Sequence, residues 1–331
     1  MTVVKDTSGP GSLRGKRGSG SGSSRRDYRR IEAPRPTRRG VNAERSAYPS
    51  WFLWPAFIIL AVFFLMPTVL NFVYAFTNWS AYHDGVDFVG WQNFESLLTN
   101  GDVLIALRTT LIWAVLVAVL QNVFGFALAL FFERDTRINR ASRAVFFIPV
   151  LISPLAIGYI FQALLKPDGA LNDLLGGALG QTVSIAWLGD TTWTIVVVSI
   201  VQSWKWMGLS MLNYLAGLKS IPDDVLEAAK IDGAGWWRTL RSVRFPLLAP
   251  AVTFNVATAL LGSMNGFDTV QATTKGGPAG TTEVLNIFIY RTFGQGLYAQ
   301  ATTMSLILFL VVILLAFPII WALRRREKQL L

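Results

Sequence analysis

The chain has 331 residues, 52% of them hydrophobic and only 15% charged, where a soluble domain carries about 25% charge. It holds no cysteine, which excludes disulfides, thiolate catalysis and zinc–sulfur sites. His83 is the only histidine, so neither a histidine metal cluster nor a Ser/His/Asp triad can be built, and the net charge of +10 needs another explanation than catalysis.

Residues 1–50 hold 12 of the 30 basic residues and almost no large apolar ones. Residues 8–24 are Gly/Ser-rich, and 25–45 are Arg-rich with Pro34 and Pro36. Neither stretch offers enough apolar surface to offset ordering entropy, so a disordered basic cytoplasmic tail lying against anionic headgroups is predicted for 1–50. The run from Gly11 to Lys16 is not a phosphate loop. Its spacing is wrong, Arg17 rather than a hydroxyl follows Lys16, and no apolar strand precedes it.

From Trp51 onward, long uncharged runs dominate. A membrane helix needs about 20 mostly apolar residues, and six such spans are expected at about 51–76, 109–132, 144–165, 193–218, 247–271 and 299–323. Together they make 51–323 an all-α, polytopic transmembrane domain, followed by a short tail at 324–331. The first span is too long for a signal-peptide core and reads as an uncleaved anchor. Pro55, Pro67 and Pro154 fall inside spans, which membrane helices accept when neighbours satisfy the freed backbone groups.

The basic residues alternate with the spans. The first tail, the loop at 133–143, the loop at 219–246 and the last tail together hold 25 Lys and Arg. The opposite loops hold Lys166, Lys275 and Arg291, while Arg108 and Lys205 lie in or at spans. By the positive-inside rule both termini are cytoplasmic in a multi-pass plasma (inner) membrane protein, and six crossings satisfy the parity. That asymmetry accounts for the charge without nucleic acid.

The loop at 219–246 reads KSIPDDVLEAAKIDGAGWWRTLRSVRFP. Its pattern predicts two short helices. Ser220 and Pro222 open the first, with Asp223 and Asp224 suited to its first turn. Val225, Leu226, Ala229 and Ile231 supply an apolar face, and Gly233 and Gly235 allow a sharp turn. The second helix is expected from about Trp236 to just before Pro246. Small residues and a carboxylate fit a docking element, while periodicity fits an interfacial amphipathic helix equally well.

In span five, Asn255, Thr258, Gly262 and Asn265 share one helical face, with Ser263 and Gly266 beside it. Such a face suits a pore lining or close helix packing. Span four carries Gln202, Trp204, Lys205, Trp206, Asn213 and Tyr214. Its indoles suit the C–H faces of a sugar or simply fill helix contacts. Lys205, deep in the span, is expected to contact solute, pair with a carboxylate on another chain, or snorkel. The stretch from Gly276 to Thr282 is expected to be a turn outside the membrane.

The segment Glu227-Ala228-Ala229-x3-Gly233-x9-Val243-x-Phe245-Pro246 resembles the EAA signature of binding-protein-dependent ABC importer permeases, E-A-A-x3-G-x9-I-x-L-P. Val243 and Phe245 replace Ile and Leu, apolar for apolar. Val89-Gly90-x-Gln92-Asn93-Phe94, Asn265-x-Phe267 and Gly276-Gly277-Pro278 are similar to the maltose-permease type of sugar permease. The resemblance implies the type I importer architecture. The loop then forms coupling helices in a cleft on a cytoplasmic ATPase, with Glu227, Ala228, Ala229, Asp232 and Gly233 as docking residues. It also implies a second permease subunit, usually a paralogue, two ATPase subunits that bind the ATP and Mg, and an extracellular solute-binding protein that delivers a sugar or polyol. Span five lines the path in that family, which favours a pore role for Asn255, Thr258, Gly262, Ser263, Asn265 and Gly266; Trp206, Asn213 and Lys205 of span four are further candidates for the solute path. No cofactor is expected in this chain.

Two other classes compete with this reading. A secondary transporter or channel subunit would show inverted repeats and acidic residues inside the spans. Here no repeat is evident, and the clearest span acid is Asp268, near an external end. A membrane enzyme would need clustered His, Asp or Glu at the interface, and no convincing cluster exists.

Overall fold

The computed structural model describes residues 50–330; the tail predicted to be disordered at 1–50 lies, but for Ser50, outside them. The chain divides into two units between Ile58 and Ile59, and of the first unit only the opening residues of a membrane-length helix are described. That helix, α1, is Trp51–Tyr74. The others are α2 (Gln92–Thr99), α3 (Asp102–Phe131), α4 (Arg137–Leu151), α5 (Pro154–Leu164), α6 (Ala170–Leu179), α7 (Thr194–Lys219) and α8 (Asp223–Ile231). After these come α9 (Trp236–Leu247), α10 (Ala249–Met264), α11 (Asp268–Thr273), α12 (Leu285–Gly294) and α13 (Tyr298–Leu330). Among the described residues there is no strand, only an isolated antiparallel bridge between Thr77 and Phe88.

Among the described residues four helices, α1, α3, α7 and α13, are long and apolar enough to cross a membrane, and two bent pairs, α4–α5 and α9–α10, raise the count to six where each pair is one span. Three expected spans change in detail. The second starts at Asp102, not 109, because Gly101 takes a left-handed φ of 76° and Asp102 sits where its charge favours the helix N-terminus. The third is not one rod: α4 and α5 meet at 99°, since Pro154 cannot continue the ladder of α4. The fifth bends by 69° between α9 and α10 and stops at Met264, before the expected 271.

Proline placement follows one rule in two helices. Pro67 follows a π-helical turn at Ala61–Leu65, and Pro246 follows one at Leu240–Arg244. The wider turn gives room to the proline ring where it would meet a preceding carbonyl, so both helices continue. For this reason α9 runs through Pro246 rather than ending before it, as its sequence suggests.

The helices α3 and α7 are the inner pair. They touch closely where a Cβ on Gly125 would stand 2.5 Å from that of Ser210. Gln121 Nε2 donates to Ser210 Oγ at 2.9 Å, and Tyr214 donates to Asn122 Oδ1 at 2.6 Å. Small residues and buried amides bind membrane helices to one another where no hydrophobic driving force separates lipid from protein. Trp113 Nε1 donates to the Ser263 carbonyl at 3.0 Å, joining α3 to α10.

Arg143 closes the far end of α3. Its guanidinium donates to the carbonyls of Phe132, Glu133 and Arg134, just past the last helical turn. Glu133 pairs with Arg244 of α9 at 2.8 Å, and Arg241, Arg326 and Glu327 line one groove. Three basic segments therefore share one end of the bundle, the grouping that the charge pattern requires.

At the other end, Glu283 pairs with Arg291 at 2.9 Å. Burial, above all, pushes its carboxyl up from the ordinary range; Arg291 opposes this and Asp102 adds to it. A raised native value means that the folded chain binds more protons than the unfolded one. This contribution to stability is complete below the ordinary carboxyl value and is lost as pH rises through the raised one. Thermal melts of the purified chain should therefore fall from mildly acidic to neutral pH, and the Glu283→Gln variant should show a flatter profile. An equal slope in both would remove Glu283 as the cause.

Candidate functional site

Between α3, α7, α10 and the start of α5 lies a cavity of about 340 Å³. Gln121, Gln202, Trp206, Thr258, Ser263, Asn265, Asp268 and Thr269 supply its polar lining. The chain leaves its helix at Asn265 and re-enters one at Asp268. Non-helical backbone at such depth is tolerated where it is enclosed by protein or lines a cavity. Thr269 donates to Gln202 Oε1 at 2.6 Å, which fixes that amide on the wall. Asp268 is the only charged residue in the lining.

The structure sorts the expected pore residues into two groups. Trp206, Thr258, Gly262, Ser263, Asn265 and Gly266 all line the cavity. A Cβ added at Gly262 would meet nothing within 4 Å, so this glycine opens space. Gly266 is different: a Cβ there would meet Trp113 Nε1 at 2.8 Å. Asn213, Asn255 and Lys205 are not among the lining residues. Asn213 Nδ2 donates to Asn255 Oδ1 at 3.0 Å, so this pair joins α7 to α10 as packing. Lys205 is 1% exposed. Its ammonium donates to the carbonyls of Pro149, Val150 and Ile152 at 3.3, 3.2 and 2.8 Å. That burial sets the ammonium against the broken end of α4, away from the cavity lining.

Gln121 and Thr269 line the cavity although the sequence pattern does not single them out, and Pro154, expected only as a proline within a span, lines it too. A signal was present for the first. Gln121 and Asn122 are adjacent amides inside an uncharged run, and polar groups at membrane depth face other protein or a cavity.

The second constellation is α8 and the turn after it. Asp223 and Asp224 occupy its first turn. Its C-terminus is a Schellman motif: Gly233 N–H donates to Lys230 O and Ala234 N–H to Ala229 O, both at 3.0 Å, with Gly233 at a φ of +70°. Leu226 packs on the core of Met211, Tyr214, Leu218 and Ile221. Ala229, 8% exposed, faces the same way and leaves the outward surface to its neighbours. Glu227, Ala228, Asp232 and Gly233 are exposed, as are Ile231 at 86% and the paired indoles of Trp236 and Trp237. The helix is thus clamped on one side and free on the other. Among the described residues Glu227 makes no ion pair, and no cluster of three or more His, Cys, Asp or Glu could hold a metal ion.

A family described as the binding-protein-dependent transport system inner membrane component matches residues 121–329, a stretch containing α8, α10 and the cavity wall from Gln121 on. The chain belongs to this family. This permease is 31% identical to the probable starch degradation products transport system permease protein AmyD of Thermoanaerobacterium thermosulfurigenes, over 84% of this chain and 94% of that one. It is also 31% identical to the multiple sugar-binding transport system permease protein MsmF of Streptococcus mutans, over 80% and 91%. A chain from the crystal structure of a bacterial ABC transporter that imports the acidic polysaccharide alginate superposes with a TM-score of 0.70 at 21% identity, over 88% of this permease and 99% of that chain. The permease is a multi-pass membrane component of a binding-protein-dependent transporter, and not an enzyme.

Proposed function

We propose that this permease imports a sugar or related polyol, forming half of a pore with a second, paralogous permease chain. Two cytoplasmic ATPase subunits drive it, and an extracellular binding protein delivers the solute. The observation that carries the solute class is the cavity lining, in which amides and hydroxyls converge beside the Trp206 indole. Hydroxyl-rich solutes need many neutral hydrogen-bond partners and an apolar face to stack on. The carbohydrate names of the relatives support the same class. ATP and Mg belong to the ATPase partners; this chain needs neither.

The grouping of basic segments at one end of the bundle supports, under the positive-inside rule, a cytoplasmic side for that end and for both termini. The free side of α8 then faces the ATPase. Glu227, Ala228, Asp232 and Gly233 present its surface, while Leu226 fastens it to the core cluster that includes residues of α7. A helix clamped at one side transmits a push to the spans, because only a contact that differs between two states can shift their balance.

The test is copurification and uptake in vesicles. Glu227→Lys should weaken retention of the ATPase by about tenfold or more, the scale on which a reversed charge acts at a docking surface, with the permease still inserted. Solute movement in vesicles lacking ATP would instead favour a channel or secondary transporter, and undiminished ATPase retention would remove Glu227 from the contact.

A further inference from the structure

We propose that Lys205 is a positioning residue for the cavity: it holds the break in the third span and the Trp206 ring in one fixed arrangement. The break creates the need. α4 ends at Leu151 and α5 begins at Pro154, which has no N–H to offer the carbonyl of Val150. Carbonyls at a helix C-terminus lack amide partners and concentrate partial negative charge. In a lipid-excluded or lipid-facing setting they must be satisfied from elsewhere.

Lys205 meets that need from α7. Its three N–H donors reach three carbonyl oxygens, those of Pro149, Val150 and Ile152. The match of a triply donating cation to a helix C-terminus explains how an ammonium is buried here without a carboxylate. The ammonium also stands 4.5 Å from the centroid of the Trp206 ring, within cation–π range. Trp206 and Pro154 are both cavity-lining residues. One side chain outside the lining therefore joins a wall residue of α7 to the broken end of α4, whose last held carbonyl, that of Ile152, lies two residues before the lining Pro154. Neighbouring Gly208 keeps α7 tight against α4 at the same level, since a Cβ there would stand 2.2 Å from the Phe146 carbonyl oxygen. The lysine thus sets the angle between two parts of the cavity rather than touching its contents.

This role rests on the cavity being the solute path, yet the test reads cavity geometry with no solute, so either can fail alone. The chain contains no cysteine, which allows single thiol reporters. Gly262→Cys places one in the cavity, where a new Cβ is unobstructed. Leu174→Cys places another on α6, where the side chain is exposed and outside the lining. The full chain, reconstituted in vesicles with the subunits that copurify with it, is treated with a charged methanethiosulfonate reagent, and modification of this chain is timed. In the Lys205→Met background the Gly262→Cys rate should rise by about tenfold, and Lys205→Arg should return it to within about threefold of the original, because it keeps the charge and the donors. The Leu174→Cys rate should stay unchanged in all backgrounds. An unchanged cavity rate would overturn the proposal, and so would equal increases at both reporters, which mark general loosening. If Lys205→Met does not accumulate, Lys205→Gln is read in its place. Failure of every substitution at this position to accumulate would make Lys205 a folding requirement and overturn the positioning role.

Discussion

Replacing Gly233 with proline should abolish ATP-driven uptake while leaving the permease in the membrane. Gly233 holds a φ of +70° and donates its N–H to Lys230 O. Proline is locked near −65° and has no N–H, so it can satisfy neither demand, at a cost of about 3 kcal/mol or more. The Schellman turn would open, and with it the angle at which α8 leaves for α9. On the proposed docking role, an uptake loss of about a hundredfold follows from a strain of that size. Gly235 is the control. It has an ordinary φ of −67° and nothing within 4 Å of an added Cβ, so Gly235→Ala should transport almost normally. Uptake into vesicles and ATP hydrolysis by the assembled complex should be measured together. Coupled transport at the original rate in Gly233→Pro would refute the idea that this turn conveys motion.

Gly208→Ala should cause the largest loss of folded protein among single-methyl additions in the bundle. The added Cβ would stand 2.2 Å from the Phe146 carbonyl oxygen and 3.0 Å from the Phe147 Cα, and both are backbone that cannot swing aside. Either α4 or α7 must move. Overpacking of this kind costs about 1–3 kcal/mol and sometimes more. The shift would also disturb the carbonyls that Lys205 holds a single turn away. Gly262→Ala makes the opposite prediction. Its added Cβ meets nothing within 4 Å, and alanine is favoured over glycine inside a helix by about 0.5–1 kcal/mol. Its folding should be unharmed or improved, although the cavity would shrink. Membrane yield and thermal melts in detergent would distinguish the two substitutions. Equal stability of Gly208→Ala and the original chain would show that the α4–α7 approach is looser than described.

Much of the architecture was legible from composition and spacing. Uncharged runs of membrane length report crossings because the bilayer imposes one length on them. The grouping of Lys and Arg predicted which loops share an end, and Glu133–Arg244 brings two of them together. The turn at Gly233 was readable because a glycine after a short amphipathic run has few other uses. The bends were harder. Pro154 announced a disturbance, but a proline inside a membrane helix either kinks it or is absorbed, as Pro67 and Pro246 are beside their π-helical turns.

By itself the sequence determined the class of molecule, its membrane-length apolar segments and the position of the exposed knuckle at α8, because each depends on local composition or short-range pattern. Only the tertiary structure decided the partners of its polar groups. Asn255 and Thr258 share a helical face, yet Asn255 is packed against Asn213 and Thr258 lines the cavity. Lys205 reaches carbonyls more than fifty positions away. Whether a buried polar side chain meets a cavity, another amide or a broken helix end depends on which distant segment packs beside it, and periodicity along one helix carries no record of that neighbour.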